Sequence, residues 1–495
     1  MVNTSGTVNF YNNDFMRTLF PLKTGKILIE TGSAEIFAYI GDCISTNSNL
    51  NRTFLPQTRA YAAKVGNHLR RTVKLDPVAE LFLYDLSYRN RSKFRAPFKD
   101  HKKHFGYRFE NGEPISATDS YSGFKGAISD YRSLYQHNLS FDVASFFNSI
   151  YHHDLVSWMA TIGADEQDYH AFGKFLRETN SGRSIDCLPQ GIYPAKMIGN
   201  DFLRYIEQYS SLRSPAILRF MDDFVLFSDN EDHLWEDFYT IQKLLGDKGL
   251  SVNPTKTKFG AQSHVDMENN VSEVKAKLLK KRRFLMTTYT DDGGEEITEM
   301  HSEEELSPEE IGFVRELLSA SHIEEEDAEL ILSIFKDYPN EVMPHLPTIA
   351  TRYPHLAKNI WSFCRHVDDD EFIEYLCSQL LDLQSTQEYQ LFWIGQILED
   401  YLLDSPSAPN IIDQAMNHKN ASYISKAKIL EIPDSRYGLT EMRDSHLGAG
   451  RSDWLAWASA VGHRHLPAIS RNHKLSYFAN SSSMNNLIHS ILQKV

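Results

Sequence analysis

The chain has 495 residues, 41% of them hydrophobic, and a formal net charge of −15. That length predicts two or three domains, and the apolar content excludes a chain that is disordered throughout. The acidic balance argues against a protein that coats nucleic acid through a generally basic surface, and no apolar run approaches the roughly 18 residues of a membrane span. Cys43, Cys187, Cys364 and Cys377 form no C-x-x-C pair, which argues against a zinc site or disulfide framework. The polar segment 1–13 has no charged-then-apolar leader pattern, so a cytoplasmic location and no membrane partner are expected.

In chain order, helical patches are predicted at 58–69 and 77–88. The second starts at Asp76-Pro77, a cap and first-turn pair, and spaces Val78, Leu81, Phe82 and Leu86 helically. Cations crowd 64–103, including Arg70, Arg71, Lys74, Arg89, Arg91, Lys93 and Arg95, and again 275–283. Residues 139–141 make a short apolar approach to Asp142. A helix over 195–209 presents Ile198, Phe202, Tyr205, Ile206 and Tyr209 on one face. Apolar runs at 216–220 and 224–227 flank Met221-Asp222-Asp223 and read as a hairpin. Leu234, Phe238, Ile241 and Leu245 line a helix that ends near Gly249. The acidic, glycine-containing stretch 291–309 reads as a surface linker. Beyond it, helical segments at 309–320, 324–338, 340–352, 354–367, 369–383 and 387–403 suggest stacked helical pairs, as in an α-solenoid.

The chemistry is carried by carboxylates. Adjacent acids at the tip of an apolar hairpin repel one another, and burial raises their pKa unless a cation compensates. Bound Mg²⁺ supplies that compensation, and two such ions can clamp the attacking and leaving oxygens of a phosphoryl transfer. An Asp-Asp pair alone is ordinarily a turn. Here it is one of four ordered blocks: Phe141-Asp142-Val143-Ala144-Ser145-Phe146-Phe147-Asn148-Ser149-Ile150, then Leu188-Pro189-Gln190-Gly191, then Phe220-Met221-Asp222-Asp223, then Gly249 to Lys258 (GLSVNPTKTK).

These blocks resemble the palm motifs A to D of reverse transcriptases, in that order, over roughly 60–260. With the flank 69–77 (LRRTVKLDP), Phe105-Gly106-Tyr107-Arg108 and the helical second half, the chain is similar to bacterial abortive-infection and defence-associated reverse transcriptases. The resemblance implies an α+β fold: right-hand polymerase-type fingers and palm followed by an all-α, solenoid-like C-terminal domain. The expected divisions are 1–138 for the N-terminal and fingers region, 139–262 for the palm (with a fingers segment near 155–187), 263–307 for a connector, and 308–495 for the helical domain.

It further implies that Asp142, Asp222 and Asp223, with the Val143 carbonyl, hold two Mg²⁺ ions, Mn²⁺ being a substitute. Phe147 matches the bulky gate against a ribose 2′-OH, which implies dNTP use. Gln190 and Gly191 match the turn that tracks template or nucleotide, and Lys256 the lysine that protonates leaving pyrophosphate. Arg70, Arg71 and Lys74 lie where fingers cations would grip a triphosphate. Phe220 stands where Tyr is commoner, and Ala195 where many relatives have Ser. The implied partners are dNTPs, product DNA or a non-coding RNA, and further copies of the chain in a homo-oligomer.

Three functions stay open: a DNA polymerase acting against phage, protein-primed and template-independent or not; an RNA-templated reverse transcriptase; and a partner-binding scaffold on a polymerase fold. No priming hydroxyl is singled out, although Tyr477 and Ser481 to Ser483 lie near the C-terminus. His152-His153 reads as a solvated or packed pair, because neighbouring residues on a helix or strand point apart.

Overall fold

A computed structural model describes residues 4–45, 52–94, 101–186, 188–261, 274, 278, 306–320 and 322–495. The basic cluster at 275–283, almost all of the expected connector 263–307, Arg95 and Cys187 lie outside these residues. Two compact units are present. The first comprises Met1–Thr18, Tyr39–Gln57 and Val78–Val271, and the second Leu19–Ala38, Thr58–Pro77 and Ser272–Val495. The span 1–138 is therefore divided between both units.

The first elements are α1 (Thr4–Phe15), α2 (Lys23–Ile44), β1 (Thr58–Lys64), β2 (His68–Lys74) and α3 (Pro77–Arg89). The helix expected at 58–69 is instead an antiparallel hairpin of β1 and β2. Its turn contains Gly66 and Asn67, both left-handed at φ 70° and 59°. A helix cannot accommodate two such residues, whereas the three-residue loop Val65-Gly66-Asn67 between the paired Lys64 and His68 uses them to reverse the chain. Ala60 and Ala62 are fully buried while Tyr61 between them is exposed, a period of two. The Tyr61 amide donates to Glu388 Oε2 at 2.9 Å, a tertiary contact that fixes the strand's edge.

The first unit is built around a five-stranded sheet of β3 (Lys102–Phe105), β6 (His137–Asp142), β7 (Ala216–Phe220), β8 (Asp223–Ser228) and β9 (Lys258–Ala261). The short pair β4 (Phe109–Glu110) and β5 (Glu113–Pro114) stands apart. Sheet order is β3-β7-β8-β6-β9, so β6, which ends at Asp142, lies beside the β7–β8 hairpin. One face, with Ala216, Leu218, Val225 and Phe227, packs on Phe124, Ile128 and Tyr131 of α4 (Ala117–Leu134). On the other, Phe141 stacks on Phe224 at 5.1 Å and meets Phe238. Each of these rings is buried, which contributes roughly 1.5–3 kcal/mol apiece.

The connecting helices are α5 (Phe146–Ser149), α6 (His152–Thr161), α7 (Glu166–Thr179), α8 (Tyr193–Phe202), α9 (Arg204–Glu207) and α10 (Glu231–Gly246). The helix expected over 195–209 breaks at Leu203 into α8 and α9. The expected helix ending near Gly249 is α10, and Gly249 is left-handed at φ 69°.

In the second unit, the chain from Pro308 onward is helical among the described residues. Helices Glu325–Ile334, Ala357–Cys364, Glu388–Ile397, Tyr423–Leu430, Trp454–Gly462 and Ser483–Leu492 pack successively in one row. Leu346–Arg352, Asp370–Asp382 and Ala408–Asn417 form a second row, which Leu439–Gly448 and Ala468–Ala479 resume as a packed pair. Corresponding hydrogen bonds recur between repeats: Tyr353 Oη donates to the Ile323 carbonyl and Tyr437 Oη to the Leu403 carbonyl, each at 2.6 Å. Neighbour-to-neighbour packing of this kind extends one continuous core, here from Leu278 to Leu439.

Candidate active site

The site forms where β6 ends beside the β7–β8 turn. Antiparallel register sets Asp142, the last residue of β6, directly opposite Asp223, the first of β8. Phe220 pairs with Asp223 across a two-residue loop, Met221-Asp222. Met221 is left-handed at φ 56°, a conformation that suits the strand twist but costs a side-chain-bearing residue about 1–3 kcal/mol. The Val143 amide donates to the Asp222 carbonyl at 3.1 Å, which ties motif A to the turn. The Asn253 amide donates to the Asp142 carbonyl at 2.9 Å and brings the fourth motif alongside.

Asp142 is buried, and its Oδ1 has no hydrogen-bond partner among the described residues. Its Oδ2 holds Lys256 Nζ at 2.7 Å. That hydrogen bond is the main reason the Lys256 ammonium is held above the usual lysine range. Burial, followed by the Asp223 charge, pushes the Asp222 carboxyl up to about 7. Among the described residues, no three His, Cys, Asp or Glu side chains form a ready metal cluster. A buried carboxylate oxygen with no hydrogen-bond partner beside two further acids is nevertheless a hard oxygen donor set suited to Mg²⁺ or Mn²⁺.

The segment after Asp142 and the loop at Gln190 are linked. Phe147 on α5 is half-buried and packs near Gly199 of α8, where an added Cβ would come within 3.3 Å of its ring. Gln190 Nε2 donates to Asn148 Oδ1 at 3.2 Å, and Asn148 Nδ2 donates to Asp186 Oδ1 at 2.6 Å. Gly191 adopts φ 103°, which demands glycine. Ala195 is fully buried in α8. Phe220 packs edge-on to Tyr121 at 5.1 Å, so the ring is used for packing. His152 and His153 do not point apart as neighbours on a helix are expected to: their ring centroids lie 3.8 Å apart at the start of α6, as a packed pair.

Arg70, Arg71 and Lys74 lie on β2, in the second unit. Arg70 and Arg71 are exposed, whereas Lys74 is buried with its ammonium 5.6 Å from the centre of the Trp454 ring. Sequence reasoning passed over Asn148, Asp186 and Arg219. A polar side chain directly after the gate, and an arginine inside an apolar strand, were the available signals.

Residues 88–286 match the family described as "Reverse transcriptase (RNA-dependent DNA polymerase)". The chain thus carries a reverse transcriptase domain, and it is an enzyme of the RNA-directed DNA polymerase type. Among solved structures, apo telomerase from Candida tropicalis is similar at 12% identity and a TM-score of 0.30, over 78% of this chain and 73% of that one. Telomerase from Candida albicans with a fragment of telomeric RNA is similar at 11% identity and a TM-score of 0.30, over 77% and 64%. No curated protein matches the chain. Among the described residues, no helix is long and apolar enough to cross a membrane.

Proposed function

We propose that the chain polymerises dNTPs at Asp142, Asp222 and Asp223 with two divalent cations, Mg²⁺ or Mn²⁺. The observation that carries this reading is the buried, unpaired Oδ1 of Asp142, placed on the strand whose register sets it opposite Asp223. When bound, the cations would lower the charge on the reacting phosphate and activate the attacking hydroxyl. The three carboxylates and the Val143 carbonyl would hold them. Phe147 rejects a 2′-OH by bulk. Gln190, held by Asn148, and Gly191 line the nucleotide's path. Lys256 stays charged and is placed to donate a proton to departing pyrophosphate. Arg70, Arg71 and Lys74 are assigned to triphosphate binding on the resemblance alone.

The resemblance to abortive-infection reverse transcriptases extends the proposal to antiphage defence, in a cytoplasmic homo-oligomer, with synthesis primed by a protein hydroxyl and independent of a template. The test is incorporation of labelled dNTPs and rNTPs by purified wild type and Asp222→Ala, resolved on a denaturing protein gel with and without co-purifying RNA. Label that stays on protein, needs Asp222 and persists without RNA supports protein priming. Label found only in free nucleic acid, and only with RNA, makes the enzyme a templated reverse transcriptase. Absence of any Asp222-dependent incorporation with Mg²⁺ or Mn²⁺ overturns the polymerase reading.

A further inference from the structure

Arg219 is a cation in the middle of an otherwise apolar strand, Ala216–Phe220, and it is 0% exposed. A buried guanidinium is costly to desolvate and persists only with specific partners. Arg219 forms an ion pair through Nε with Glu207 of α9, which is also 0% exposed. Its Nη1 donates to Asn200 Oδ1 of α8 at 2.9 Å and to the Met221 carbonyl at 2.8 Å. Met221 is the left-handed residue of the turn that carries Asp222. On its other side the turn accepts the Val143 amide through the Asp222 carbonyl.

We infer that Arg219 is a positioning residue for the catalytic turn: its guanidinium clamps the Met221 carbonyl and locks the Asp222 backbone to the motif B helix through Asn200 and to α9 through Glu207. The proposal rests on the polymerase reading for its catalytic consequence, but not for its structural one. The strained φ of Met221 needs an external hold, since the loop has no glycine to relax it. Lysine cannot replace the clamp, because a single ammonium lacks the planar fork that reaches three acceptors at once. The link also explains why a polar Asn200 is buried in α8, at 1% exposure.

The test uses Arg219→Lys and the double variant Arg219→Met/Glu207→Leu, which removes both buried charges and so avoids stranding either one. In variants with wild-type melting behaviour, hydrogen exchange of the Val143 amide should rise about tenfold or more while the amides of 139–141 stay protected. The kcat for dNTP incorporation should fall roughly 100-fold, the scale of an ångström-level misplacement, with KM for dNTP nearly unchanged. A folded double variant with unchanged Val143 exchange and unchanged kcat overturns the inference. If wild type itself incorporates nothing, the polymerase reading fails, and Val143 exchange alone still decides the role of Arg219.

Discussion

Both units bury charge, but they settle it differently. In the helical unit, Lys428 is fully buried and meets Glu399 at 2.5 Å and Glu431 at 3.0 Å. Glu431 also accepts the Thr24 amide at 2.7 Å and its hydroxyl at 2.9 Å, and Lys23 reaches Glu399 at 3.0 Å. Each charge has its opposite, so Glu399 is held well below the usual carboxylate range by Lys428 and Lys23 despite its burial. In the sheet unit, Asp142 keeps one oxygen unpaired and Asp222 is pushed the other way, up to about 7. A closed network fixes a fold, whereas a buried carboxylate oxygen left without a partner beside a raised carboxyl marks a candidate functional site.

The sharpest way to break this contrast is Asp222→Asn, which should lower dNTP incorporation roughly 10³–10⁴-fold by removing a preorganised charge at the reacting phosphate. The same change should not unfold the protein. Because the folded pKa of Asp222 lies above its unfolded value, metal-free wild type should lose stability as pH rises from about 4 to about 7, at up to about 1.4 kcal/mol per pH unit. Melting curves across that range should steepen this loss in wild type, flatten it in Asp222→Asn, and show Mg²⁺ restoring wild-type stability above it.

Next in size, Lys428→Met strands two buried carboxylates and should destabilise the helical unit by roughly 3–5 kcal/mol, read by denaturant unfolding. The paired Glu399 carries the opposite pH sign: its contribution is present above about pH 4.5 and disappears as pH falls through its depressed folded value. Lys256→Met should leave the fold intact and lower kcat roughly 100-fold, with little change in KM. An unchanged kcat would reduce Lys256 to a counter-charge for Asp142. The smallest effect is expected from Phe147→Ala, which should relax discrimination between dNTPs and rNTPs roughly tenfold in competition assays.

The grouping of Asp142 with Asp222 and Asp223 was expected from the order of the blocks, and the register of β6 on β8 brings these residues together. Sequence alone did not indicate the hold of Lys256 on Asp142. Strands β7 and β8 were legible from the largely apolar runs 216–220 and 224–227, and the C-terminal helices from their spacing and separators. The 58–69 segment was misread because alanine-rich sequence favours a helix locally, and only its alternating burial and the Glu388 contact decide for a strand. Arg70, Arg71 and Lys74 are expected at the triphosphate only through the resemblance. Sequence could not tell that Lys74 is buried over Trp454, far along the chain.

By itself, then, the order of residues determined the reaction class, since four ordered blocks resembling one enzyme family restrict side chains one position at a time. Tertiary structure decided which charges are paired and which are left waiting: the register of Asp142 on Asp223, the clamp of Arg219 on Met221, and the Asn148 bridge between gate and turn. Those contacts join residues distant in sequence, and their energies depend on burial, which no local pattern reports.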